Sequence, residues 1–307
     1  MKNFEQAKHF FGERLQENVL LKNHTTSRVG GPARAFVSTS SAEELALDVQ
    51  FLWDQGIPFH ILGSGSNVLF SDQGIEAVVL LNRAKESSFE STANTITVEA
   101  ESGTTLITLC RKAAEQGFAG LEWASTIPGT LGGALYGNAG AHGREMKDNL
   151  IMAEILHRET GRLSLRADQM DYGNRTSRMK QQPGNAVILS AKLALHSGDL
   201  EAIARMTKAH LDERRLTQPI GASMGSIFKN PPGDHAGRLI EAAGLKGTRI
   251  GGVEVSLLHA NFMINDGSGS AEDFHRLIVL VQNKVREEFK VNLEPEIEII
   301  GEWQGLA

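Results

Sequence analysis

Apolar and polar positions alternate along this chain in two rhythms, one helical and one extended. Residues 1–18 predict a polar amphipathic helix, and a short strand is expected around Ala35–Val37. Ser41-Ala-Glu-Glu44 has the form of a capping box and opens a helix with Leu45, Val49 and Leu52 on one face, closing at Gly56. Strands are expected at Phe59–Leu62, Val68–Phe70 and Ala77–Leu81, completing a βαββ unit. Past Asn82 the pattern changes. Ile96–Ala100 alternates like a half-buried strand. Thr104–Gln116 places Leu106, Leu109, Cys110 and Ala113 at helical spacing before Gly117. Ile151–His157 and Ala186–Leu195 read as strands, and Arg158–Gly161 marks a turn between strands. Asp199 caps a helix that runs towards Arg214 and ends by Pro219.

The last third predicts a strand at Ser226–Lys229, a helix at Asp234–Ala243 and strands at Val253–Leu257 and Asn261–Ile264. Ser270 caps the longest helix, whose Phe274, Leu277, Ile278, Val281, Val285 and Phe289 form one apolar face. Glu296–Ile300 closes the series as a strand. These elements define an α+β protein in three segments, 1–81, 82–198 and 199–307.

One stretch obeys neither rhythm. From Gly129 to Gly143 there are six glycines. Glycine loses more entropy on folding than any other residue, so this density needs a reason. Linkers are usually polar, whereas this stretch carries Leu131, Leu135 and Tyr136 just after Ile127. A packed loop whose N–H groups form a concave nest for phosphate fits better. A second glycine segment, Gly63-Ser-Gly-Ser-Asn67, follows a strand. It is not a G-x-G-x-x-G fingerprint, because the third glycine would fall on Val68 and the chain continues as strand. Alone it is as easily a plain turn. Paired with the central stretch, it could hold one dinucleotide's pyrophosphate from two loops.

Composition narrows the classes. The hydrophobic fraction of 41% with 22% charged residues fits a soluble globular protein. A net charge of −6 argues against a general nucleic-acid binder. Cys110 is the sole cysteine, which excludes an intrachain disulfide and a multi-cysteine metal site. No apolar run reaches the roughly 20 residues of a membrane span, and the N-terminus lacks the apolar core of a signal peptide. The expectation is a cytoplasmic protein. His24, His60, His142 and His259 show no metal-ligand spacing and are expected to be structural, with no metal.

Several blocks together resemble the UDP-N-acetylenolpyruvoylglucosamine reductases. They are Ile61-Leu-Gly-Ser-Gly-Ser-Asn-Val-Leu69, Ile127-Pro-Gly-Thr-Leu-Gly-Gly133 through Asn138-Ala-Gly-Ala-His-Gly143, and Gly225-Ser-Ile-Phe-Lys-Asn-Pro231. Arg249-Ile-Gly-Gly-Val253, His259-Ala-Asn-Phe262 and Leu293-Glu-Pro-Glu-Ile297 join them in family order. The resemblance implies a two-part FAD-binding region of the vanillyl-alcohol-oxidase type (1–81 and 82–198) and a C-terminal substrate domain (199–307). The chain length suits the family's compact, type II form. FAD would be bound non-covalently by Gly63, Ser64, Gly65, Ser66 and Asn67. The second set would be Thr126, Ile127, Pro128, Gly129, Gly132, Gly133, Asn138, Gly140 and Ala141. The implied reaction carries hydride from NADPH, through FAD, to the vinyl ether of UDP-N-acetylglucosamine enolpyruvate, giving UDP-N-acetylmuramate. The implied partners are these small molecules alone, with no nucleic acid and no membrane, and the chain is expected to be a monomer.

Hydride added to the terminal vinyl carbon leaves negative charge on the adjacent carbon, shared with the carboxylate. Such a site needs a fixed cation, a hydrogen-bond donor and a proton source. The resemblance assigns these to Arg175, Glu296 and Ser226. Arg175 lies in Asp171-Tyr-Gly-Asn-Arg-Thr-Ser-Arg178, where Asn174 stands in place of the family's tyrosine and Arg178 is the competing cation. Lys229, Asn230, Arg238 and Arg249 are expected to bind substrate. A flavin oxidase on the same fold and a non-catalytic flavin- or nucleotide-binding protein are the alternatives.

Overall fold

The computed structural model describes residues 2–303. The chain forms two compact units that alternate along its length. One comprises the chain up to Leu15, Phe36–Gly63 and Val78–Arg214, and the other Gln16–Ala35, Ser64–Ala77 and Arg215 onward. This differs from three consecutive segments. The strands Pro32–Thr39 and Ile75–Asn82 each begin in one unit and end in the other. A reading in chain order follows covalent continuity and cannot show such an exchange.

The first unit is built on an antiparallel sheet in which Gly161–Arg166, Leu150–His157, Ala186–Ser197, Ile96–Glu101 and Ser87–Ser91 lie in that spatial order. Alternate residues of the long Ala186–Ser197 strand, Ala191, Leu193 and Leu195, enter the core. There they meet the face of the Leu106–Glu115 helix that carries Leu106, Leu109, Cys110 and Ala113. Burial pushes the Cys110 thiol up to about 12, so it is an inert core group. Ala42–Asp54 is the helix expected after Ser41, whose hydroxyl oxygen accepts the Glu44 N–H. The Glu44 carboxylate reaches back one residue further than a capping box requires, to the Ser40 N–H.

The second unit is centred on the Ala271–Phe289 helix, whose Phe274, Leu277, Ile278, Val281 and Val285 are fully buried. Ser270 and Asp273 form a complete capping box there, and the Asp72 carboxylate accepts the Ala271 and Glu272 N–H groups. Val68–Phe70 pairs in parallel with Glu298–Ile300. Arg249–Ile250, Val253–Val255 and Met263–Asn265 form a small antiparallel sheet.

Some expectations are corrected. The first helix ends at Phe11, and Gln16–Leu20 is an exposed strand. Ser226–Lys229 is no continuous strand; it makes isolated bridges from Ser226 to Phe262 and from Phe228 to Pro295. Glu296 precedes its strand, which starts at Glu298. Glu298 is half-buried.

Candidate active site

In the first unit, the chain enters the central glycine stretch through Thr126, whose carbonyl accepts a hydrogen bond from the Arg214 guanidinium. Arg214 was not evident from its sequence position. Its burial pulls its pKa below the usual arginine value. The glycines then open a short helix, Leu131–Tyr136, capped by Thr130. Two glycines in six residues argue against a helix on propensity alone. Tertiary contacts hold it: the Leu131 N–H donates to the Thr104 carbonyl and the Gly132 N–H to the Ser102 carbonyl, each at 2.8 Å. A Cβ on Gly132 would meet that of Ser102 at 2.9 Å, so glycine is what admits the approach.

These bonds also decide which donors remain. The first N–H groups of the helix are already used by protein. Those of Gly129 and Thr130, just before it, have no hydrogen-bond acceptor among the described residues. The Thr104 hydroxyl is likewise buried without a partner among them. Gly63, where the other glycine segment begins, packs against the same turn, and a Cβ there would fall 2.5 Å from Thr130 Oγ1. The two glycine segments expected to act together therefore do meet, at Gly63 and Thr130.

The segment carrying Arg175 is latched to this loop by three hydrogen bonds. Arg175 Nη2 donates to the Gly140 carbonyl (2.9 Å), Asn138 Nδ2 to the Gly173 carbonyl (3.1 Å) and Ser177 Oγ to the Tyr136 carbonyl (2.7 Å). Asn138 is 1% exposed and also bonds Glu145 Oε2 and the Lys147 N–H. It thus organises the loop from within. Arg175 has a left-handed backbone, φ +54°, uncommon outside glycine. Its rival Arg178 lies in an exposed ion pair with Asp171. The Arg175 guanidinium, by contrast, meets the glycine-rich loop at Gly140.

The second unit holds the rest of the chemistry. The Glu296 N–H donates to the Ile227 carbonyl (2.8 Å), so Glu296 and Ser226 lie on adjoining strand-like segments. Asn261 fixes this arrangement, accepting the Phe228 N–H and donating to the Phe228 carbonyl, at 3.0 and 2.8 Å. Its position inside a recognised block was the signal that could have singled it out. The Ser226 hydroxyl makes no hydrogen bond among the described residues. From the first glycine loop, Asn67 Nδ2 donates to the Glu296 carbonyl (3.2 Å), and Asn67 O accepts the Glu298 N–H (2.9 Å). Gly65 in that loop is buried at φ +63°, with an N–H that finds no acceptor among the described residues. The loop that would touch a cofactor and the segment bearing the carboxylate are thus one hydrogen-bonded piece.

Lys229 is 14% exposed and paired with Glu294 beside this segment. Asn230 Oδ1 accepts the Ala236 N–H, which ties it to the start of the Ala236–Ala242 helix. Arg238 and Arg249 lie in exposed ion pairs with Asp234 and Asp266. The Arg238 guanidinium and the His235 N–H hold Asp234 down to about 2. These two arginines are engaged on the surface.

Open backbone donors in a glycine loop suit an anionic group such as the phosphate of a nucleotide cofactor. The Ser226 hydroxyl, uncommitted among the described residues, is a group that can give up a proton. The chain belongs to the UDP-N-acetylenolpyruvoylglucosamine reductase family and is an FAD-dependent oxidoreductase. The model of the family's C-terminal domain matches residues 216–300, and that of an FAD binding domain matches 33–164. The reductase of Synechococcus sp. (strain JA-3-3Ab) is 42% identical, with 94% of this chain and 92% of that protein covered. The one from Bacillus subtilis (strain 168) is 40% identical over 92% of this chain and 93% of its own. The crystal structure of the enzyme from Thermus caldophilus matches with a TM-score of 0.78 and 33% identity, covering 94% of this chain and 99% of that one. Within the first unit, the open donors of Gly129 and Thr130 suit a phosphate of FAD.

Proposed function

We propose that the protein reduces UDP-N-acetylglucosamine enolpyruvate to UDP-N-acetylmuramate with NADPH, acting as a cytoplasmic monomer. Bound FAD supplies the two-electron relay between the two substrates. The residues of this chain deal with the charge and the proton. Ser226 delivers its hydroxyl proton to the carbon next to the carboxylate once hydride has reached the terminal vinyl carbon. Serine is a weak acid, but that carbon is a strong base. Glu296, in its protonated form, donates a hydrogen bond to the developing dianion, and Arg175 supplies the fixed positive charge. Arginine suits this role because its planar fork can hold a carboxylate through two bonds. Lys229 and Asn230 bind the substrate's charged groups, with weaker support for Arg238 and Arg249 from their surface ion pairs.

The observation that supports this reading is the Ser226 hydroxyl, uncommitted among the described residues, on a segment that the Glu296–Ile227 bond ties to the one bearing Glu296. Stopped flow with Ser226→Ala tests it. Flavin reduction by NADPH should keep its wild-type rate. Reoxidation by the enolpyruvyl sugar nucleotide should slow by roughly two to four orders of magnitude, the range typical of a general acid. Equal slowing of both halves would remove Ser226 from the role.

A further inference from the structure

Gly140–Ala141 and Arg144–Glu145 pair as a hairpin whose two-residue connection is His142-Gly143, both at positive φ. That is the backbone of a type I′ turn, for which asparagine is the better first residue. Histidine tolerates this left-handed backbone, and its imidazole meets side chains of a helix further along the chain. The ring stacks on that of His210, with centroids 3.8 Å apart, and Nδ1 lies 3.3 Å from Glu213 Oε2. His210 and Glu213 share a face of the Leu200–Thr217 helix, one turn apart.

We propose that His142, His210 and Glu213 form a binding site for a divalent transition metal of the zinc class. Their ligand atoms all lie within 4.8 Å of one another. A tetrahedral zinc with bonds near 2.1 Å sets its ligands about 3.4 Å apart. The His142–Glu213 pair, at 3.3 Å, already has that spacing, and the His210 ligand atom lies within 4.8 Å of both. Two imidazoles and one carboxylate make a borderline-soft donor set that leaves one position open. The His142 side chain is 18% exposed, so an ion can reach it from solvent. A bound ion fixes the hairpin tip to the helix. Gly140, in that hairpin, receives the Arg175 bond, and Arg214, next to Glu213, holds Thr126.

The test uses the full FAD-loaded chain, stripped with chelator and titrated with zinc by calorimetry. Cobalt serves as a spectroscopic reporter through its ligand-field bands beyond the flavin absorption. One equivalent should bind, with tetrahedral cobalt bands. His142→Asn, which suits the turn, His210→Ala and Glu213→Gln should each weaken zinc by at least about tenfold, as even loss of an outer partner can do. Circular dichroism of each variant should match the wild type. Zinc affinity unchanged in any folded variant, or no uptake at micromolar metal, overturns the assignment.

Discussion

Gly65 shows how one residue can decide the shape of a loop. A Cβ there would lie 2.0 Å from the His24 carbonyl oxygen, a backbone atom with nowhere to go, and its φ of +63° strains any L side chain. The conformational cost alone is about 1 kcal/mol, and the collision adds to it by forcing the loop apart. Gly65→Ala should therefore purify with much less flavin, its FAD dissociation constant raised at least about tenfold, equivalent to 1.4 kcal/mol. Gly233→Ala is the matched control, because Gly233 has φ +77° but open space where the methyl would go. It should keep its flavin, as read from the ratio of visible to ultraviolet absorbance. Equal loss in both variants would assign the effect to backbone strain rather than to loop shape.

Among elements, those with strong apolar periodicity were legible and those without it were not. The Ala271–Phe289 helix was placed to the residue at its capped end, because Ser270 and the apolar face of Phe274, Leu277, Ile278, Val281 and Val285 point the same way. The Ala42–Asp54 helix and the Phe59–Leu62 and Val68–Phe70 strands were read for the same reason. The strands Gln16–Leu20 and Ser87–Ser91 bury little on either side, so no alternation announced them. The Leu131–Tyr136 helix exists through contacts with Ser102 and Thr104, which no local pattern encodes. The candidate residues divide likewise: Arg175, Ser226, Glu296 and Asn261 all lie in or beside motif blocks, whereas Arg214 acts through a hydrogen bond to Thr126, far away in sequence. The capping box makes the element-scale prediction. Ser270→Ala removes the acceptor for the Asp273 N–H and should cost about 1 kcal/mol of stability. Urea denaturation would show this as a lower midpoint with an unchanged slope. An unchanged midpoint would mean that Asp72 alone sustains the helix start.

At the scale of the whole molecule, sequence families and physical units cut the chain differently. The C-terminal family match begins at residue 216, close to where the last stretch of the second unit begins at Arg215. Yet that unit also contains Gln16–Ala35 and Ser64–Ala77. Val29 and Leu69 belong to its buried core. Val68–Phe70 is the sole strand partner of Glu298–Ile300 among the described residues. Asp72 closes the start of the long helix, the Ser27 carbonyl accepts Asn265 Nδ2 at 3.0 Å, and the Ser223 carbonyl accepts the Thr26 hydroxyl at 2.6 Å. Removing those two stretches would expose core side chains, strip a strand of its partner and open the helix cap together. Small domains have a stability of only a few kcal/mol, less than these losses combined. A fragment of residues 215–307 should therefore not fold cooperatively, despite carrying the whole C-terminal family match. Heating it under far-ultraviolet circular dichroism should give a broad, non-sigmoidal trace, while the full chain melts sharply. A sharp melt of the fragment would show that its own core suffices and that the two upstream stretches are accessory.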